Sequence, residues 1–425
     1  MAETDATPSP LASEDWLACW LSLALLVLLL AGVRFDLPAL SWSPGTLADV
    51  FAPGNLFAVL AIGALLMVVA AIGVALMRER LRPFLIGFPA VFGLCLAAQF
   101  IAGNAGMKAA GLTYVITGLG LGLLISNLFR LPDWLLGAVR TECYIKIGLV
   151  ILGSNILLGD ILQAGVLGIA QAPLVILVIW YVGFWIAKRL KLDDDFAAML
   201  ATAVSICGVS AAIAACGVLG GDRRKLSYVT SLVLVVAVPM MLAMPWIVDA
   251  LDMPALVGGA WIGGTIDTSG AVVAAGELVG ESAMNAAVIV KFSQNAMLGI
   301  AAFALSIWWT LRSGEATGEK PSARIIWERF PKFVIGFMAA SAIFSFLLSA
   351  DFVESTADLT KGLRTWWFTL AFVCIGLETR FRDLVRMDGG RPAAAFLAAQ
   401  GVNIAWTLLI AWLLFGGVLF AVPSR

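Results

Sequence analysis

Ala197-Ala-Met-Leu-Ala-Thr-Ala-Val-Ser-Ile-Cys-Gly-Val-Ser-Ala-Ala-Ile-Ala-Ala-Cys-Gly-Val-Leu-Gly220 is the stretch on which the fold turns. It is long enough to cross a bilayer, which takes about 20 apolar residues. Lys188, Arg189 and Lys191 precede it, however, and Arg223, Arg224 and Lys225 follow it. Cytoplasmic loops are enriched in Lys and Arg, so a crossing helix would leave one of these positive loops on the wrong side. A re-entrant hairpin that enters and leaves on one side keeps both inside.

The remaining chain supports that reading. Apolar runs at residues 16–33, 55–77, 84–102, 113–129, 144–158 and 166–187 precede the stretch, and runs at 226–248, 255–276, 285–311, 333–349, 363–378 and 393–418 follow it. Cation-rich loops around Arg78/Arg80/Arg82, Arg130/Arg140 and Lys188 alternate with cation-poor ones at 34–54, 103–111 and 159–165. Farther on, Arg312 to Lys332 and Arg380 to Arg391 are positive, whereas 249–254, 277–284 and 351–362 are not. Residues 255–276 are therefore a second odd element, flanked by two cation-poor loops. If it enters from outside, every loop obeys the rule, with about eleven transmembrane helices plus two re-entrant elements. Crossing as broken helices is the competing arrangement, at the cost of one positive loop outside.

Composition sets the class. Of 425 residues, 61% are hydrophobic and 13% charged, with a mean hydropathy of +0.98, against about half apolar and a quarter charged in a soluble domain. An all-α polytopic membrane protein is expected: a cytoplasmic tail at 1–15, then a single transmembrane domain at 16–425. Its core is expected at 113–309 and 363–418, with a cytoplasmic loop at 312–332. The tail carries no Lys or Arg, so it lacks the positive start of a secretory signal. A formal charge of −1 argues against nucleic acid as a partner. The absence of histidine excludes imidazole relays and His-ligated metals, and with them most enzyme readings. The six cysteines form no C-x-x-C, and no phosphate-binding G-x-x-x-x-G-K-[ST] occurs, so neither a metal nor a cofactor is expected.

Two stretches carry the chemistry. Ser205-Ile-Cys-Gly-Val-Ser210 sets a glycine and two hydroxyls mid-element, where a break at Cys207 and Gly208 would start a half-helix at Val209 and Ser210. Its free N–H groups suit an anionic oxygen. The same small residues would also serve plain helix packing. Gly263-Gly-Thr-Ile-Asp-Thr-Ser-Gly270 joins a glycine break, including Gly264, to Thr265, Asp267, Thr268 and Ser269. An ionisable residue at such depth is expensive, and functional by default. Asp267 would cap the following half-helix or bind a coupling proton or sodium ion. The alternative is an extracellular turn at 258–264. Lys291, with Gln294 close behind, would compensate an anion or Asp267, or else snorkel to the outer rim. Asn155 and Glu378 hold equivalent places after Gly153 and Gly376, as cavity-lining or ordinary helix-end residues, and Gly118-Leu-Gly-Leu-Gly122 with Ser126 and Asn127 allows close helix approach.

Internal similarity points to inverted repeats. Ser210-Ala-Ala-Ile-Ala-Ala-Cys-Gly217 resembles Ser269-Gly-Ala-Val-Val-Ala-Ala-Gly276, and residues 149–155 resemble 372–378.

These motifs, with Asn285-Ala-Ala-Val-Ile-Val-Lys291 and Cys374-Ile-Gly-Leu-Glu-Thr-Arg-Phe-Arg-Asp-Leu384, resemble the sulfate exporter family, the YeiH-like bacterial inner-membrane transporters, from about Tyr114 to Phe415. In the family pattern the Gly-Gly-Thr stretch continues with a His-Glu pair; here Asp267 and Thr268 stand in those places. The resemblance implies a multi-pass secondary transporter distantly like bile-acid/sodium symporters and cation/proton antiporters, commonly a homodimer, exporting sulfate or sulfite. A sodium- or proton-coupled carrier of an organic acid or bicarbonate, and an anion channel, are the rival expectations.

Overall fold

A computed structural model describes residues 13–313, 322–380 and 390–420. The rest, including residues 1–12 of the tail expected at 1–15, part of the 312–332 loop and Asp383, lies outside the described residues. In chain order the helices are α1 (Glu14–Leu30), α2 (Leu47–Val50), α3 (Pro53–Leu76), α4 (Leu81–Gly103), α5 (Ala105–Ala109), α6 (Tyr114–Leu128), α7 (Asp133–Leu136), α8 (Thr141–Gly153), α9 (Leu158–Arg189) and α10 (Asp194–Ser205). They continue as α11 (Val209–Leu219), α12 (Arg223–Ala250), α13 (Ala255–Thr265), α14 (Ser269–Val279), α15 (Glu281–Ala296), α16 (Leu298–Ser313), α17 (Arg324–Arg329), α18 (Phe333–Ala342), α19 (Ala350–Glu378) and α20 (Arg391–Phe415). One isolated bridge, Trp42 to Asn104, is the single extended pairing among the described residues.

Six helices among the described residues are long and apolar enough to cross a membrane: α3, α4, α9, α12, α15 continuing into α16, and α20. This is a multi-pass membrane protein. Two expected loops are helical instead. Residues 159–165 lie inside α9, and 351–362 fall in the first half of α19, which is capped by Ser349, whose hydroxyl accepts from Phe352 N–H. Polarity marked these segments as loops, but both consist largely of residues that a helix tolerates, and neither contains proline.

The contacts of the chain group into two compact units. The first holds α1–α8, α18 and α19. Its seam is the crossing of α6 and α19, where a Cβ on Gly122 would stand 2.3 Å from Val373 O, and one on Gly376 2.5 Å from Leu119 O. Only glycines permit that approach, as the G-x-x-x-G reading implies. Ser126 Oγ then reaches Gly376 O (2.8 Å), and Asn127 Nδ2 reaches Thr379 O (3.0 Å), closing the carbonyl end of α19. Lys146 sits among Asp15, Glu142 and Glu14 at 3.0, 3.4 and 3.7 Å.

The second unit holds α9–α17 and α20 and contains both odd elements. Each is a hairpin. The two ends of α10–α11 lie together: Lys225, at the start of α12, bonds Asp193 and Asp195 at 2.9 Å each, while a Cβ on Gly221 would touch the Met199 side chain at 3.3 Å. The two ends of α13–α14 likewise share one neighbour. Gly259 packs on Ala283 O and Gly276 on Met284 Cα, adjacent residues of α15. Gly258 in turn abuts Val248, near the far end of α12. The hairpins are thus rooted at opposite ends of α12, which at 28 residues is roughly 42 Å long. Their tips meet near its middle, where a Cβ on Gly208 would lie 2.5 Å from Val233 Cγ1 and 3.1 Å from Asp267 Cβ.

Candidate functional site

Local backbone chemistry builds the two tips. α10 stops at Ser205, and Gly208 has φ +61°, a left-handed conformation that side chains other than glycine rarely adopt. α13 stops at Thr265, Ile266 is extended, and Thr268 Oγ1 accepts from Ala271 N–H at 3.3 Å to begin α14. The alternative of an extracellular turn at 258–264 fails, since those residues are helical and buried.

A helix end buried in apolar surroundings must find partners for its last carbonyls. Here side chains from α15 and α20 supply them. Lys291 Nζ donates to Ile206 O (2.6 Å) and Gln294 Oε1 (3.0 Å). Gln294 Nε2 donates to Ser205 O (3.0 Å) and Gly264 O (3.2 Å), so one amide ties the two tips. Asn403 Nδ2 does so again, at Val204 O (3.3 Å) and Thr265 O (3.2 Å), with its Oδ1 held by Thr407 Oγ1 (2.8 Å). Gln400 Nε2 adds a bond to Thr265 O (3.0 Å). Lys291 is 1% exposed, so it does not snorkel. Its donors serve the end of α10, and charge compensation for Asp267 acts only at longer range, since no ion pair of 4.0 Å or less joins the two.

The opposite ends of the half-helices are different. The first turn of α11 has no side-chain cap, and it is accessible: Ser210 is exposed, and Cys207 and Val209 are half-buried. Thr268 and Ser269 at the head of α14 are also half-buried, and Asn295 Nδ2 bonds Ser269 Oγ (3.2 Å). Between these heads sits Asp267, 1% exposed, with Oδ2 buried and without a hydrogen-bond partner. Thr265 Oγ1, Asn295 Oδ1, Gln400 Oε1 and Gln171 Oε1 are buried and unpartnered around the same tip. The site therefore sets accessible backbone and hydroxyl groups over buried oxygens that have no partner. Ser205 belongs to neither, since its hydroxyl is buried and donates back to Thr202 O.

The structure thus brings together Cys207, Gly208, Val209, Ser210, Gly264, Thr265, Asp267, Thr268, Ser269, Lys291 and Gln294 within one unit. Asn127, Asn155 and Glu378 belong to the other. Asn155 Nδ2 bonds Thr360 Oγ1 (2.9 Å), eighteen residues before the exposed Glu378 on α19 and so about 27 Å from it along the axis. These two do not share a cavity. Sequence reasoning placed Asn295 only as a polar neighbour of Lys291 and missed Gln171, Gln400 and Asn403. The last two stand out as amides three residues apart inside an apolar run, the signal that marks intramembrane polar groups.

Residues 86–395 match the family model described as conserved hypothetical protein 698. A UPF0324 membrane protein of Rhodopirellula baltica is 39% identical over 344 residues, covering 78% of this chain and 63% of the relative. One from Nitratidesulfovibrio vulgaris is 36% identical over 360 residues (81% and 62%), and one from Nitrosomonas europaea 27% over 395 residues (81% and 80%). This chain therefore spans less than two thirds of the length of the first two relatives. No solved structure matches it.

Proposed function

We propose that this chain, which belongs to the conserved hypothetical protein 698 family, is a secondary active transporter of a small inorganic anion. Sulfate or sulfite moving outward across a bacterial inner membrane is the specific reading, drawn from the resemblance of its motifs to the sulfate exporters. One observation carries the transport proposal: two hairpins rooted at opposite ends of α12 meet tip to tip, with the uncapped, accessible first turn of α11 beside the buried Asp267. Half-helix N-termini that meet deep in a membrane protein are anion sites, and discontinuous helices of this kind are what alternating-access carriers rock around.

In this reading the N–H groups of Val209 and Ser210, with Thr268 and Ser269, receive anion oxygens, and Asp267 takes the coupling proton or sodium ion. A homodimer is the proposed assembly, and the chain acts as a carrier rather than an enzyme. Radiolabelled sulfate and sulfite uptake into proteoliposomes under an imposed proton or sodium gradient tests it. Gradient-driven flux above that of empty liposomes supports the proposal, and equal flux in both ends the substrate assignment. The unpartnered acceptor oxygens around Asp267 favour a second reading, a cation-coupled carrier of an organic acid or bicarbonate. Sodium-dependent counterflow of those solutes without sulfate flux would select it, and gradient-independent flux would indicate a channel.

A further inference from the structure

A cleft of about 280 Å³ opens on the flank of the second unit, between Leu177, Trp180 and Tyr181 of α9, Thr202 of α10, and Ala304 and Trp308 of α16. Its walls are stiff. Trp180 stacks on Phe184 at 5.3 Å, and Trp308 meets both rings edge-on at 5.6 Å. The polar atoms at its floor are already engaged, since Trp180 Nε1 donates to Thr202 Oγ1 (3.0 Å) and that hydroxyl donates to Ala198 O (2.7 Å). Such a cleft accepts an apolar chain and offers those groups nothing to bond.

Cations stand at the ends of the two long helices that line the cleft. Along α9, Tyr181, Trp185 and Arg189 follow at four-residue spacing, and the Arg189 guanidinium lies over the Trp185 ring at 5.0 Å. Along α16, Arg312 lies over Trp308 at 5.3 Å. Lys188 and Arg312 meet at Asp194 (2.5 and 2.7 Å), so both helices end at the same corner. Two of the cations there share the Asp194 carboxylate and Arg189 pairs with none among the described residues, while Asp193 and Asp195 are bonded by Lys225. Aromatic rings one turn below cations are the usual composition of a headgroup level, and an excess of cations there draws anionic lipids.

We propose that this cleft is a binding site for one anionic phospholipid, an acyl chain lying between Trp180 and Trp308 and the phosphate held by Arg189 and Arg312 at the helix ends. It is independent of the transport reading and needs only a chain that sits in a bilayer.

Native mass spectrometry of the full chain tests it, using dioleoyl phosphatidylglycerol and dioleoyl phosphatidylcholine as matched probes. One phosphatidylglycerol is expected to persist under activation that strips phosphatidylcholine. Arg189→Gln with Arg312→Gln should lower its retention at least fivefold, to the level of the zwitterionic lipid, and Ala304→Phe, which fills the cleft, should remove retention of both. Equal retention of the two lipids by the unaltered protein, or undiminished phosphatidylglycerol on the double variant, overturns the proposal. Should loss of the Arg312–Asp194 pair prevent folding, Arg189→Gln alone decides the matter, because Arg189 forms no ion pair among the described residues.

Discussion

Gly208 and Asp267 show how much a single position carries. Gly208 combines a left-handed backbone with side chains so near that a methyl group would stand 2.5 Å from Val233. Gly208→Ala should therefore lower stability by roughly 1–3 kcal/mol and displace the α11 head, as read by a fall in melting temperature and loss of flux. Asp267 is buried with an orphaned oxygen. If it carries the coupling ion, Asp267→Asn should leave folding intact, abolish gradient-driven accumulation and preserve equilibrium exchange. Retained accumulation would remove it from the coupling step. The sequence already marked both residues, because a glycine or an aspartate inside an apolar run conflicts with its surroundings. It could not mark Gln400 and Asn403 as partners of Thr265, since their roles depend on an approach between residues more than 130 positions apart.

At the scale of elements, the tips are locked through shared amide donors, and one carbonyl takes two of these amides. Thr265 O receives both Gln400 and Asn403, whereas Val204 O receives Asn403. Replacing either amide by leucine leaves Thr265 O one donor, and replacing both leaves it bare. An unsatisfied buried carbonyl costs about 1–3 kcal/mol, so the double variant should lose more than the sum of the singles in a double-mutant cycle read by chemical denaturation. Simple additivity would mean that the carbonyl finds another donor. The seam between α13 and α15 is a second lock. A Cβ on Gly263 would stand 2.3 Å from Ala287 O, so Gly263→Val should force the helices apart and abolish flux with a clear drop in melting temperature. A break at Cys207 and Gly208 was legible from composition, whereas the one expected at Gly263 and Gly264 falls after Thr265, because those glycines stay helical where α13 packs closely on α15. The boundaries of α9 and α19 were not legible, because polar residues mark a loop only where they also disfavour a helix.

For the whole molecule, the layout of the second unit makes a topological prediction. In a variant with its native cysteines replaced, single cysteines at Asp195 and Lys225 should react with a membrane-impermeant thiol reagent from one side, and those at Ala255 and Glu281 from the other. Opposite-side labelling within either pair would mean that the element crosses the bilayer rather than folding back. By itself the sequence determined that this protein lives in a membrane, where it breaks one of its helices, and that two of its elements defy simple alternation, because apolar length, glycine and loop charge are local quantities. Tertiary structure decided that those elements are hairpins meeting at their tips, which amides hold them together, and that Lys291 bonds a helix end instead of reaching the rim. Those outcomes depend on which carbonyls lose water together, and only the packed chain brings them into reach of a donor.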